Sequence, residues 1–511
     1  MIFSMLRLYQ RTLLTLAIAG TINSASAFSL LGPYDAYQVT AIGYNLPYGT
    51  DGMGGPMNIA EGYRWNIKTI TYGFDPSFLH YFGTLGSNAV VQAMTILNNV
   101  PPVSQMTPNL TEFPDDTRRE NYQAEALNIL DVKSTVLGIM IEEMGLASPE
   151  RYTWTLRATR TVATTTYYTV IQRNLDPVTG VYSSFVNDTL YTYVIRTFAA
   201  PAFPTPFADA VEIPLDPVVF GFTSLASFDG ALNGIEGFSL PLGGFYTGLT
   251  RDDAAGLRSL YSKNDYATEN PLPGTIAPVS TSVSSSGSGS GTSAFSPWTP
   301  ASTTNVTSSG NPWNPVGATN VTTTPAGTNA IVTTALRPGV EKIVFQLIPN
   351  NSIFGGFPTI TNNYKDTYVT NLSNGKSKLV TQNTQRVLTQ PDILFSAGDL
   401  GVSPAGAPTP LTYATTTAAA WANNAALNTQ PGSRGPTAGP GVIQPQVVIT
   451  FNKVGPFILN SSGNGIFFLD QATGSAGFVW GSFDGTTNPP IVYPDGVSIQ
   501  DLEQQVLGTG P

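Results

Sequence analysis

The sequence predicts an α+β fold: an N-terminal half of helices and strands carrying a β-hairpin insertion, then a C-terminal β-rich, sandwich-like domain. Three observations lead there. Apolar residues recur at helical spacing around 87–98, 132–144 and 250–261. Two long runs of Thr, Val, Tyr and Ile, at 153–175 and 181–198, have strand composition. From residue 331 onward, β-rich stretches are punctuated by Asn-Gly turns at 374–375 and 464–465.

In chain order, Arg7 and Arg11 frame a short apolar core at 13–18, and Ser24-Ala25-Ser26-Ala27 offers a cleavage site before Phe28. Residues 1–27 therefore read as a signal peptide. A short strand is expected at 37–42 and a longer one at 65–72, broken by Asp75-Pro76. A helix follows, with Ser87 as N-cap and Val90, Val91, Met94 and Leu97 toward the core. Pro101-Pro102 stops it, and residues 119–131 are partly helical. A second helix spans 132–144, with Val136, Ile139 and Met140 on its apolar side, Gly145 at C′ and Pro149 beyond. The runs at 153–175 and 181–198 are expected to pair across the Pro- and Gly-containing turn at 174–180. Residues 199–248 read as loop. Thr250 and Asp253 then approximate a capping box for a helix whose Ala254, Leu257, Leu260 and Tyr261 face inward.

These elements give a first domain at 28–265 and a Ser/Gly/Pro-rich linker at 266–330. The β-rich domain covers 331–511, with a low-complexity insertion at 401–435 and a short Ala-rich helix at 414–427. Such a linker leaves the two halves without a required relative orientation.

Composition narrows the function. Charged residues are 11% of the chain, against ~25% in average proteins. Polarity rests on Ser, Thr, Asn and Gln, and neutral faces of that kind meet without repulsion, which suits a self-assembling surface protein. The net charge of -10 argues against nucleic acid. No segment reaches ~20 consecutive apolar residues, so no transmembrane helix is expected. The chain has no Cys; export without disulfides points to a bacterial source.

Trp65–Asn99, with W-x-x-x-x-I-T-Y-x-F-D and then a helix, resembles the opening of matrixin-like, zincin-type metallopeptidase domains. Leu249–Tyr261 resembles their closing helix, L-x-x-D-D-x-x-G-I-x-x-L-Y, and Gly145-Leu146 resembles the Gly-Leu near the zinc motif. The resemblance covers about 60–265 and implies a zincin-like fold. It does not carry the activity. Laid over this chain, the three ligand histidines fall on Gly138, Glu142 and Ser148, and the general-base glutamate on Ile139. Catalytic zinc needs three protein ligands and a base for its water. The domain is thus read as degenerate, with no catalytic, cofactor-binding or metal residue.

Other candidates read as structural. Asp75, Asp131, Glu142, Glu143, Asp252 and Asp253 lack calcium-loop spacing. Glu142-Glu143 reads as a solvated helix face and Asp252-Asp253 as first-turn charge on a helix dipole. His80, the one histidine, lies among aromatics and has no second His to build a triad. The leading expectation is a non-catalytic secreted structural protein, a pseudoenzyme that self-assembles into a filament or other extracellular structure with itself or other surface proteins. An extended segment at 28–46 could add a strand to a neighbour. One alternative is a carbohydrate- or protein-binding module using aromatics near Trp298 and Trp313; another is a hydrolase with an unrecognised acid pair.

Overall fold

The computed structural model describes residues 27–33, 53–57, 64–147, 149–150, 152–198, 207–215, 242–272, 274–278, 331–350, 356–371, 376–397, 447–451, 457–459, 466–468, 479–493 and 495–506. It is a mixed α+β architecture of several small sheets with helices. The strand at 37–42, most of the signal peptide, both Asn-Gly turns, the insertion at 401–435 with its helix, and Trp298 and Trp313 lie outside the described residues.

Strand β1, Thr69–Phe74, is buried on both faces. That follows from its neighbours: it lies in a parallel sheet, where both faces are covered and an alternating pattern is not required. Asp75 then caps helix α1, Pro76–Asn99, by accepting from the Phe78 amide at 2.9 Å, with Pro76 in the first turn, where its missing N–H costs nothing. The break expected at Asp75-Pro76 is therefore also the helix start. Ser87, expected as N-cap, sits one turn past Gly83, whose φ of 59° and ψ of -160° kink the helix, and its hydroxyl donates to the Gly83 carbonyl at 2.9 Å.

Strand β2, Ile129–Asp131, leads into α2, Val132–Glu143. Its burial extends around the helix and includes Glu143, which is only 1% exposed. The expected solvated Glu142-Glu143 face is thus corrected: α2 is a core helix, apolar nearly all round. Gly145 ends it at φ 102°, as a C′ glycine does.

The two Thr-rich runs do not form one hairpin. β3, Thr155–Val162, turns back through Ala163 (φ 55°) to pair with β4, Thr165–Ile171. β5, Thr189–Phe198, pairs with β6, Phe207–Pro214. The turn at 176–180 does form, closed by Asp176 Oδ1 on the Val178 and Thr179 amides. It joins only an isolated bridge, Leu175 to Tyr182. Local turn chemistry was legible; the longer pairings were decided elsewhere.

Helix α3, Arg251–Tyr261, has the expected box: the Thr250 amide donates to Asp253 Oδ2 at 2.8 Å, and the Asp253 amide to Thr250 Oγ1 at 3.4 Å. Ala254, Leu257, Leu260 and Tyr261 are all buried.

Strands from beyond residue 331 complete the core. These are β7, Val344–Leu347; β8, Ile360–Asn371; β9, Ser377–Leu388; β10, Ile393–Ser396; β11, Val447–Thr450; and β12, Val479–Ser482. The main sheet runs β7-β1-β10-β11, all parallel. β12 pairs parallel with β2. Tyr266–Glu269 pairs with Ala335–Pro338, and Thr275–Ile276 with β9. The segment read as linker from 266 thus begins as strand, and the two halves read as separate share one sheet. A central aromatic cluster joins them: Phe78 lies 5.5 Å from Phe451, Phe82 5.2 Å from Phe451 and 5.1 Å from Tyr493, and Phe451 5.5 Å from Trp480. Such pairs add about 0.5–1.5 kcal/mol each beyond their area burial.

Candidate functional site

The residues of the peptidase comparison meet around the end of α2. The Trp65 indole donates to the Glu143 carbonyl at 2.9 Å, and the Tyr261 hydroxyl to the Met144 carbonyl at 2.8 Å. Gly138 and Ile139 are buried, Glu142 is half-buried, and Ser148 lies outside the described residues. This part of the helix serves as a packed hub rather than an open cleft floor.

The acidic candidates go to separate structural tasks. Asp75, Asp131 and Asp253 cap helices. Asp252, 1% exposed, accepts from the Ala27 amide at 2.8 Å and the Asn187 amide at 2.7 Å. His80 is exposed on α1. Among the described residues, no group of three His, Cys, Asp or Glu is placed to hold a metal ion. A close carboxylate pair does exist at Asp115 and Asp188: burial, and then the Asp188 charge, raise Asp115 to about 6, and the Arg251 guanidinium at 2.8 Å opposes them.

Asp131 has a second aspect that sequence reasoning missed. A cleft of about 250 Å³ opens between the start of α2, one side of α1 and residues 482–491. Asp131 lines it while being fully buried. Its Oδ2 accepts from the Ser134 amide at 2.9 Å and the Ser134 hydroxyl at 2.6 Å. The carboxylate also receives a backbone hydrogen bond from Phe483 across the cleft. Burial raises the Asp131 pKa, against the pull of the Lys133 charge and the hydrogen bonds from Ser134 and the Phe483 backbone.

The rest of the cleft is polar on one side and apolar on the other. Asn88 and Gln92, four residues apart on α1, share a helix face and are exposed. Lys133 stands with its ammonium 5.5 Å from the Phe245 ring centre. Hydrogen bonds from the Thr486 hydroxyl and amide hold Asp484 below its ordinary value, helped by Lys133. Leu85, Pro489 and Ile491 supply apolar wall. The readable signal was the Asp-Val-Lys-Ser start of α2, an N-cap with serine at the third helical position. The contribution of 482–491 was not readable, because it comes from more than 350 residues away by tertiary packing.

A second feature is a lobe of hairpins. β3–β4 and β5–β6 pack on each other through Leu156, Ala208 and Ala210, with Trp154, Tyr168 and Ile195 around them. Beyond that small core, every residue from Thr159 to Tyr167 is exposed, so both faces of the tip meet solvent. Val162 is 46% and Tyr167 58% exposed. β8–β9 forms a third hairpin, paired over its full length from Ile360–Leu388 to Asn371–Ser377, with Leu379 and Val387 exposed.

Comparison with protein-family models, curated proteins and solved structures finds no match for this chain. Among the described residues, no helix is long and apolar enough to cross a membrane.

Proposed function

We propose that this chain is a secreted, non-catalytic structural protein whose hairpin lobe joins a second copy in a bacterial extracellular or cell-surface assembly. The observation that carries this reading is the tip of β3–β4. A two-stranded ribbon with both faces in water gains little from the body of its own chain. It is rich in Thr, Val and Tyr, and among the described residues β3 and β4 pair only with each other. Each therefore offers an outer row of backbone donors and acceptors to another strand. Low overall charge leaves little to oppose that contact.

We further read the body as a peptidase-like scaffold of the zincin type, without its chemistry. Supporting this, the three segments that resemble matrixins converge through the Trp65 and Tyr261 hydrogen bonds to the end of α2. The sandwich-like reading of 331–511 has less support, since several of its strands pair with earlier parts of the chain.

The test is light scattering and electron microscopy of the purified mature protein across concentration. Wild type is expected to form particles larger than a monomer. Val162→Lys with Tyr167→Lys is expected to leave a folded monomer, because charged side chains block strand addition. A wild type that is strictly monomeric, or a lysine variant that assembles equally well, rejects the proposal.

A further inference from the structure

We propose that export processing cuts the chain between Ser26 and Ala27, and that the new α-ammonium of Ala27 pairs with the Asp252 carboxylate. The cut falls one residue earlier than the site before Phe28. The proposal rests on the secreted reading above and adds what removal of the leader does to the fold. A single contact prompts it. Ala27 is wholly buried, and its nitrogen lies 2.8 Å from Oδ1 of Asp252, itself only 1% exposed.

Leader removal wants small residues before the cut. Ser24 and Ser26 meet that need for a cut before Ala27, as Ala25 and Ala27 do for a cut before Phe28. The contacts separate the two. Ala27 belongs to the folded body: Phe28 bridges to Leu175, and Ser29 and Leu30 pair with Ala147 and Leu146 just after α2. A cut before Phe28 would remove the residue packed beside Asp252 and delete its 2.8 Å bond. A cut before Ala27 keeps both.

In that hydrolysis, the leader peptidase breaks the C–N bond between Ser26 and Ala27. Water gives its hydroxyl to the Ser26 carbonyl carbon and a proton to the Ala27 nitrogen, which takes up a second proton at neutral pH. One amide N–H becomes an ammonium with three donors. A full positive charge then stands where the amide nitrogen lies, 2.8 Å from a buried carboxylate oxygen. Charge-assisted hydrogen bonds are about twice as strong as neutral ones. Asp252 Oδ2 also accepts from the Asn187 amide at 2.7 Å, two residues before β5. Processing therefore tightens the joint between the new N-terminus, α3 and the base of the hairpin lobe.

The first arm of the test is export of the full chain from a bacterial host, with intact mass and N-terminal sequencing of the product. The product is expected to begin Ala-Phe-Ser-Leu. An exported chain that begins at Phe28 overturns the proposal and leaves the secreted reading standing; a chain that keeps its leader rejects both. The second arm needs no export. Residues 27–511 are freed from an N-terminal fusion without extra residues and compared with the same chain carrying Gly-Ser before Ala27. At pH 7 the free Ala27 form is expected to have an unfolding constant about tenfold smaller. The carboxylate raises the α-ammonium pKa in the folded state above its ordinary value of about 7.7–8.0, so the advantage is full below that value and fades as pH rises through the folded one. The nearby charged and titratable groups are common to both forms and cancel in the difference: Arg251 and Asp253 on α3, Asp115 and Asp188 beside Arg251, and Tyr191 on β5. Asp252→Asn is expected to abolish the gap between the two forms; should it fail to fold, the pH series decides. Equal stability at pH 7, or a gap that neither alkaline pH nor Asp252→Asn reduces, overturns the ion pair.

Discussion

Glu150 shows how a single side chain sets a pH dependence. It lies beside the Tyr191 hydroxyl, which donates at 3.3 Å. Burial, and then the Glu212 charge, raise its pKa from 4.5 to about 8, while the Tyr191 bond opposes them. A carboxyl raised in the folded state binds its proton more tightly there than in the unfolded chain. It therefore costs nothing below pH 4.5, and its penalty grows as pH rises from 4.5 to about 8. Glu150→Gln is expected to match wild type at pH 4 and to exceed it increasingly up to pH 8, with a constant gap above. Urea midpoints across pH check this; equal midpoints at pH 8 reject it. The sequence marks Glu150 only as a residue after Pro149. Its neighbours Tyr191 and Glu212 lie on β5 and β6, and nothing local names them.

At the scale of elements, caps and breakers were legible because their chemistry is local. Thr250 with Asp253, Gly145 at positive φ and the Asp176 turn all work through atoms a few residues apart. The start of α1 was misread for the opposite reason. Gly83 holds a conformation open essentially to glycine, and a helix continues on either side of it. A Cβ at position 83 would lie 2.5 Å from Asp495 Oδ2, and the Asp495 amide donates to the Tyr81 carbonyl at 2.7 Å. The kink is thus where the C-terminal segment seats against α1. Gly83→Ala is expected to destabilise the protein by about 1–3 kcal/mol from backbone strain, with the carboxylate clash adding to it. The measurement is equilibrium urea unfolding, and a change under about 0.5 kcal/mol, the usual range for a neutral surface substitution, would reject it. The same kinked helix carries Asn88 and Gln92 to the cleft, so the element that escaped the periodicity reading is also the one that shapes the candidate site.

The whole molecule is held together across the segment from 279 to 330, and two independent sets of contacts do it. β1 from the first half lies between β7 and β10 from the second. Arg64 is buried against Glu269 and Asp265, both at 2.7 Å, and donates to the Arg337 carbonyl at 3.0 Å; Arg337 in turn meets Asp366 at 2.8 Å. Removing one partner from a buried pair of this kind costs about 3–5 kcal/mol. That long-range closure was not legible: composition marked 266–330 as a linker, and only backbone pairing reveals that strands on both sides of it share ladders. Residues 28–278 produced alone would leave both edges of β1 open, Phe78 and Phe82 without Phe451, and Arg64 without the Arg337 carbonyl. The fragment is expected to lack a cooperative urea transition and to bind the dye ANS as partly folded chains do. Adding residues 331–511 in trans is expected to restore the transition and remove the dye signal, because the missing contacts need no covalent link. A fragment that unfolds cooperatively at the midpoint of the full chain would show instead that the first half folds alone, as the linker composition implies.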